Sequence, residues 1–119
     1  MLLTTLGFII AGAIVGGAVL AAFWDDIKNW LNQVAADAVE KHFGYSARNK
    51  MQKAVAIIDR IANKLRNTST VYTKKSPAST YFDKTTIICE TGIENIEQDV
   101  IHELSNHDNR LVQEFQYAQ

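Results

Sequence analysis

A chain of 119 residues with one cysteine, Cys89, excludes an internal disulfide framework and a cysteine-based zinc cage. The formal charge of −1 hides a segregation, because residues 41–84 set ten basic side chains against only Asp59 and Asp83. Residues 1–40 set Lys28 against Asp25, Asp26, Asp37 and Glu40, and residues 85–119 set Arg110 against seven carboxylates. So basic a middle calls for an anionic partner, either external or supplied by the acidic final segment packed beside it.

In chain order, Leu2 to Phe23 carries no charged side chain. A helix of that length runs roughly 33 Å, enough to cross a bilayer core. Residues 1–23 therefore read as a transmembrane helix. The run lacks a basic n-region and exceeds the apolar core of a secretory signal, so a retained anchor is expected. Lys28, Lys41 and His42 place the basic excess on the C-terminal side, which predicts a single-pass cell-membrane protein with its C-terminal domain cytoplasmic. Small residues recur four apart, as a glycine zipper, in Gly12-x-x-x-Gly16 and Ala13-x-x-x-Gly17-x-x-x-Ala21. Such stripes let helix backbones approach, so Gly12, Ala13, Gly16, Gly17 and Ala21 are the expected homo-oligomerisation face. Trp24 and Trp30 fall where amphipathic rings settle at the membrane interface.

Residues 24–43 place Ile27, Trp30, Leu31, Val34, Ala35 and Ala38 at steps of three and four, opposite Asp26, Asn29, Gln33, Asp37 and Glu40. This predicts an amphipathic stalk helix ending near Gly44. Residues 44–119 then read as a small α+β domain of helix, hairpin and helix. Ser46 caps a helix from about Ala47 to Arg66, with Met51, Val55, Ile58, Ala62 and Leu65 inward and Lys50, Lys53, Arg60 and Lys64 outward. Ser69–Lys74 and Thr80–Glu90 read as strands around a turn at Lys75–Ser79. Lys74, Lys75 and Lys84 extend the basic region. Ile93, Ile96, Val100, Leu104, His107, Leu111 and Phe115 predict a closing amphipathic helix.

The expected fold is thus an α+β membrane protein: one N-terminal transmembrane helix, a stalk helix, and a helix–hairpin–helix cytoplasmic domain. His102 and His107 are five apart and cannot share a metal as an i, i+4 pair does, so no metal ligands are assigned. No nucleotide-binding or nucleophile motif is present; no catalytic residue, enzyme activity or cofactor is expected. The basic set Lys50, Lys53, Arg60, Lys64, Lys74 and Lys75 is the candidate site for an anionic ligand, a nucleotide or nucleic acid. With the lipid bilayer and copies of itself as partners, the chain reads as a membrane effector or pore-like assembly under control of that domain. In general layout it resembles small bacterial membrane effectors that act in defence against phage, with no motif carrying the likeness. The alternative is a tethered adaptor that holds a protein partner without forming a pore.

Overall fold

The computed structural model describes residues 7–10, 16–43, 50–74, 76, 78 and 80–118. No helix among them is long and apolar enough to cross a membrane. The expected transmembrane helix 1–23, and the single-pass membrane architecture resting on it, is therefore corrected. The phage-defence likeness loses its footing with it. Gly7–Ile10 is instead strand β1. Gly16 and Gly17 hold φ of 81° and 59°. That left-handed backbone interrupts a right-handed helix, and glycine adopts it without steric cost. At Gly16 a Cβ would also run into the Leu20 side chain.

Helix follows immediately. A 3-10 turn at Gly17–Leu20 leads into α1 (Ala21–Trp30), a π-turn at Leu31–Ala35, and α2 (Ala36–Phe43). The expected stalk is thus helical, but its apolar side lies against protein: Leu20, Trp24, Leu31, Ala35, Ala36 and Val39 are fully buried. The π-turn shifts the helical phase, and Val34, expected inward, is 52 % exposed.

The expected helix from Ala47 to Arg66 is corrected to two strands, β2 (Met51–Ile61) and β3 (Lys64–Thr73), paired antiparallel. The alternation Ala54, Ala56, Ile58 inward with Val55, Ile57, Asp59 outward is a strand's period of two. Ala62 and Asn63 close the hairpin, with Ala62 at φ 56°. An alanine there is strained by roughly 1–2 kcal/mol, partly offset by glycine's larger unfolded-state entropy. Ala62→Gly is expected to raise stability by about 0.5 kcal/mol, read as a higher midpoint in urea with an unchanged slope.

The hairpin expected from the hydroxyl-rich region is present as β3 and β4 (Asp83–Gly92), paired from Thr73 opposite Asp83 to Lys64 opposite Gly92. The closing helix is corrected. Only α3 (Gln98–Ser105) is helical, and Arg110–Ala118 is β5. Asn106-His107-Asp108-Asn109 stops the helix, with Asp108 and Asn109 at φ 57° and 60°, a region these two residue types tolerate.

The sheet order is β1-β5-β2-β3-β4, with every pairing antiparallel. Four long strands carry it and the short β1 extends one edge through Gly7 opposite Ala118. The helices cover one face, and a single core joins Leu20, Trp24 and Leu31 to Val100 and Leu104 of α3 and Ile58, Val71, Leu111 and Phe115 of the sheet. The other face carries no helix among the described residues.

Candidate anionic-ligand surface on the open sheet face

A β-bulge builds the centre of this surface. The register of β2 against β3 shifts between Met51 and Lys53. The extra residue, Gln52, resets the alternation, so Met51 and Ala54 both point into the core while Lys53 turns to the open face. Gln52 anchors the bulge by donating from Nε2 to the Lys50 carbonyl at 3.2 Å, and Lys74 N–H donates to that same carbonyl at 3.1 Å.

Lys53 stands directly opposite Tyr72, which in turn stands opposite Lys84. Lys53 Nζ lies 4.8 Å from the Tyr72 ring centre and 5.8 Å from that of Phe82. Lys74 Nζ is 5.4 Å from the Phe82 ring and Lys84 Nζ 5.5 Å from the Tyr72 ring. The two rings meet edge to face at 6.0 Å. Two residue pairs further along the ladder, on the same face, Thr70 and Thr86 place their hydroxyls 3.2 Å apart. Glu114 approaches this group, reaching Lys53 at 4.0 Å. Three ammoniums, two aromatic rings and two hydroxyls thus share one patch of open sheet.

The basic residues singled out in the sequence divide between two ends. Lys53 and Lys74 belong to this patch, whereas Lys50 contributes its backbone carbonyl to the bulge. Arg60 lies seven residues along β2 from Lys53, roughly 23 Å at about 3.3 Å per residue. It is in the alternation phase of the helix-covered face and donates to the Ala62 carbonyl at 3.2 Å. Lys64 begins β3 at that same distant end. The single stripe expected of a helix is therefore not formed, because alternation sends Lys53 and Arg60 to opposite faces. Lys75 lies outside the described residues, as do Gly12 and Ala13. Gly16 and Gly17 form the left-handed entry to the helix, and Ala21 is half-buried at the start of α1. Trp24 is a core residue and Trp30 is partly buried against that core, so neither occupies an exposed belt.

Sequence reasoning missed Tyr72 and Phe82 and did not assign Lys84 to the site. The available signal was the alternation Thr70, Tyr72, Lys74 on one face of a strand. At the far end of the face, Arg66 Nε donates to Glu90 Oε2 at 2.8 Å, and this hydrogen bond and charge hold the Glu90 carboxyl below its usual value. Arg66 is thereby already engaged. Among the described residues no group of three or more histidine, cysteine or carboxylate side chains is arranged to hold a metal. No protein-family description, curated protein or solved structure matches this chain.

Proposed function

We propose that the protein is a non-catalytic binding module whose open sheet face takes a ligand carrying both phosphate and a planar base, as a nucleotide or a single-stranded nucleic acid does. The observation that carries this reading is the cluster of Lys53, Lys74 and Lys84 around Tyr72 and Phe82. Magnitudes favour exchange on binding. An exposed cation–π contact contributes about 0.5–1 kcal/mol, whereas a base stacked on an aromatic side chain contributes about 1–3 kcal/mol. A base can therefore displace an ammonium from a ring face while the freed ammonium meets the phosphate. The Thr70 and Thr86 hydroxyls add donors beside that path.

Fluorescence anisotropy with a labelled ten-nucleotide oligothymidylate tests this, with thymidine monophosphate, inorganic phosphate and heparin as competitors. The oligonucleotide is expected to bind with log K falling against log salt at a slope of about −2, from three lysines at roughly 0.7 each. Competition by the mononucleotide but not by inorganic phosphate identifies the base as part of the recognised chemistry. Heparin displacing the oligonucleotide as well as unlabelled oligonucleotide does reduces the surface to plain charge and rejects the proposal. No binding at low salt rejects it outright.

A further inference from the structure

The two edges of the sheet are finished differently. At one, the short β1 lies outside β5. At the other, β4 runs ten residues with no strand beyond it among the described residues. Its ladder with β3 is unbroken from Asp83 to Gly92, and the only proline, Pro77, lies outside it. Bulges, prolines and very short strands keep sheet edges from pairing with another chain, and β4 has none of these. Ile88, near its middle, is 60 % exposed.

The direction of the β4 backbone groups follows from the ladder. Ile93 N–H donates to the Asn63 carbonyl at 3.0 Å, and residues 63 and 93 continue the β3–β4 register by one step. Hydrogen-bonded and non-hydrogen-bonded pairs alternate along an antiparallel ladder. Thr91, Cys89, Ile87, Thr85 and Asp83 therefore turn their N–H and C=O groups toward β3. Lys84, Thr86, Ile88 and Glu90 turn theirs to the outer edge.

An antiparallel partner must set its own outward residues opposite these. For a second copy of β4 related by a two-fold axis, the registers that overlap most of the strand are centred on Thr86, Ile87 or Ile88. Centring on Thr86 sets Lys84 opposite Ile88, and centring on Ile88 sets Glu90 opposite Thr86. Centring on Ile87 sets Lys84 of each copy opposite Glu90 of the other, so the same pair of opposite charges forms twice. Directly opposite residues have Cβ atoms about 4.5–5.5 Å apart, within reach of an ion pair. Arg66 Nε, 2.8 Å from Glu90 Oε2, already holds that carboxylate in the ladder, and a carboxylate accepts several donors. In this register Ile88 lies beside Thr86 of the other copy, and about eight backbone hydrogen bonds join the two edges.

We infer that the partner of the β4 edge is a second copy of this chain, joined antiparallel about Ile87 into one continuous sheet. Charge complementarity selects both that occupant and that register. The Tyr72 and Phe82 rings stay on the open face, and the pairing does not depend on the ligand proposed for it.

Sedimentation equilibrium of the full chain, without nucleotide, tests this, and a monomer–dimer equilibrium is expected. Lys84→Glu alone and Glu90→Lys alone each set like charges opposite one another twice. Each is expected to weaken the dimer by about tenfold or more. An equimolar mixture of the two variants restores opposite charges at both positions and should dimerise as the unsubstituted chain does. The register is read by cross-linking with oxidised glutathione in a Cys89→Ser background. Ile87→Cys meets its own copy at a non-hydrogen-bonded pair, with Cα atoms about 4.5 Å apart, inside the range a disulfide spans. Ile88→Cys meets its copy only on the diagonal, at roughly 7–8 Å, and should cross-link far more slowly. A chain that stays monomeric near millimolar concentration, a dimer indifferent to both charge reversals, or a mixture no more dimeric than its components overturns the inference. So does cross-linking no faster through Ile87→Cys than through Ile88→Cys, and that comparison decides alone if a charge variant does not fold.

Discussion

Trp24→Ala is expected to lower the stability of the fold by about 3–6 kcal/mol. The indole is fully buried. Its ring meets Phe115 at 6.0 Å and 64°, and Phe23 at 5.2 Å and 66°. Truncating a buried aromatic to alanine costs about 3–5 kcal/mol, and an edge-to-face pair adds about 0.5–1.5 kcal/mol beyond the area it buries. A domain of this size has roughly 5–15 kcal/mol of total stability, so one substitution removes much of it. Trp24→Phe keeps a ring in the same space and is expected to recover most of the loss. Urea unfolding followed by circular dichroism separates the variants. A loss under about 1 kcal/mol for Trp24→Ala would contradict the burial of this ring, since only an exposed tryptophan can be truncated so cheaply. The measurement also distinguishes the two roles a tryptophan can have here. At a membrane interface the ring contributes to anchoring; between α1 and β5 it joins the helix to the sheet.

The second large effect concerns binding rather than folding. Tyr72→Ala combined with Lys84→Glu is expected to weaken oligothymidylate binding at least tenfold and up to several hundredfold. Loss of one base stack accounts for about 1–3 kcal/mol, and reversing a charge beside a phosphate adds to it. The salt slope should also become shallower, because one counterion-releasing lysine is gone and a carboxylate stands in its place. Both side chains lie on the open face, half-buried or exposed, so the urea midpoint is expected to move by under about 1 kcal/mol. Lys64→Glu is the matched control. It reverses a charge at the distant end of the same strand, and its effect should be under about threefold, since charges separated by more than roughly a Debye length are screened. Equal losses from Lys84→Glu and Lys64→Glu would mean that net charge, not the aromatic cluster, governs the interaction.

Parts of this architecture are legible in the chain. A β3–β4 hairpin follows from a run of Thr, Val, Tyr and Ile flanked by turn residues, but β3 begins at Lys64, inside the stretch expected to be helical, and β4 runs from Asp83 to Gly92 rather than from Thr80 to Glu90. The helical stretch over 24–43 follows from an apolar pattern at three and four with no proline. Other parts mislead for an identifiable reason. A spacing of four is shared by helix and strand, because four is both about one helical turn and twice the strand period. Leu111 and Phe115 therefore fit either reading, and so do Ala54 and Ile58. The period-two partners Gln113, Tyr117 and Ala56, buried with them, break the tie toward strand. Of the helical face expected at Met51, Val55, Ile58, Ala62 and Leu65, the structure buries Met51, Ile58 and Leu65, turns Val55 outward and uses Ala62 in the hairpin loop.

The candidate surface was half visible for the same reason. Charge segregation pointed to residues 41–84, but helical geometry grouped Lys53 with Arg60, whereas a strand with a bulge groups Lys53 with Tyr72, Phe82 and Lys84. Which lysines act together depends on which strands pair and where Gln52 shifts the register, and composition contains neither fact.

Residue order alone settles which side chains avoid water, where charge accumulates, and where glycine, asparagine and aspartate permit left-handed turns. It does not settle what the apolar leader avoids water against. A lipid tail and a protein core are equally apolar solvents for Leu20 or Trp24, so transfer free energy cannot choose between them. That choice came from the sheet: β2, β3 and β5 present a face of Ala54, Ala56, Ile58, Val71, Leu111 and Phe115 that itself has to be covered, and the helix beginning at Gly17 covers it.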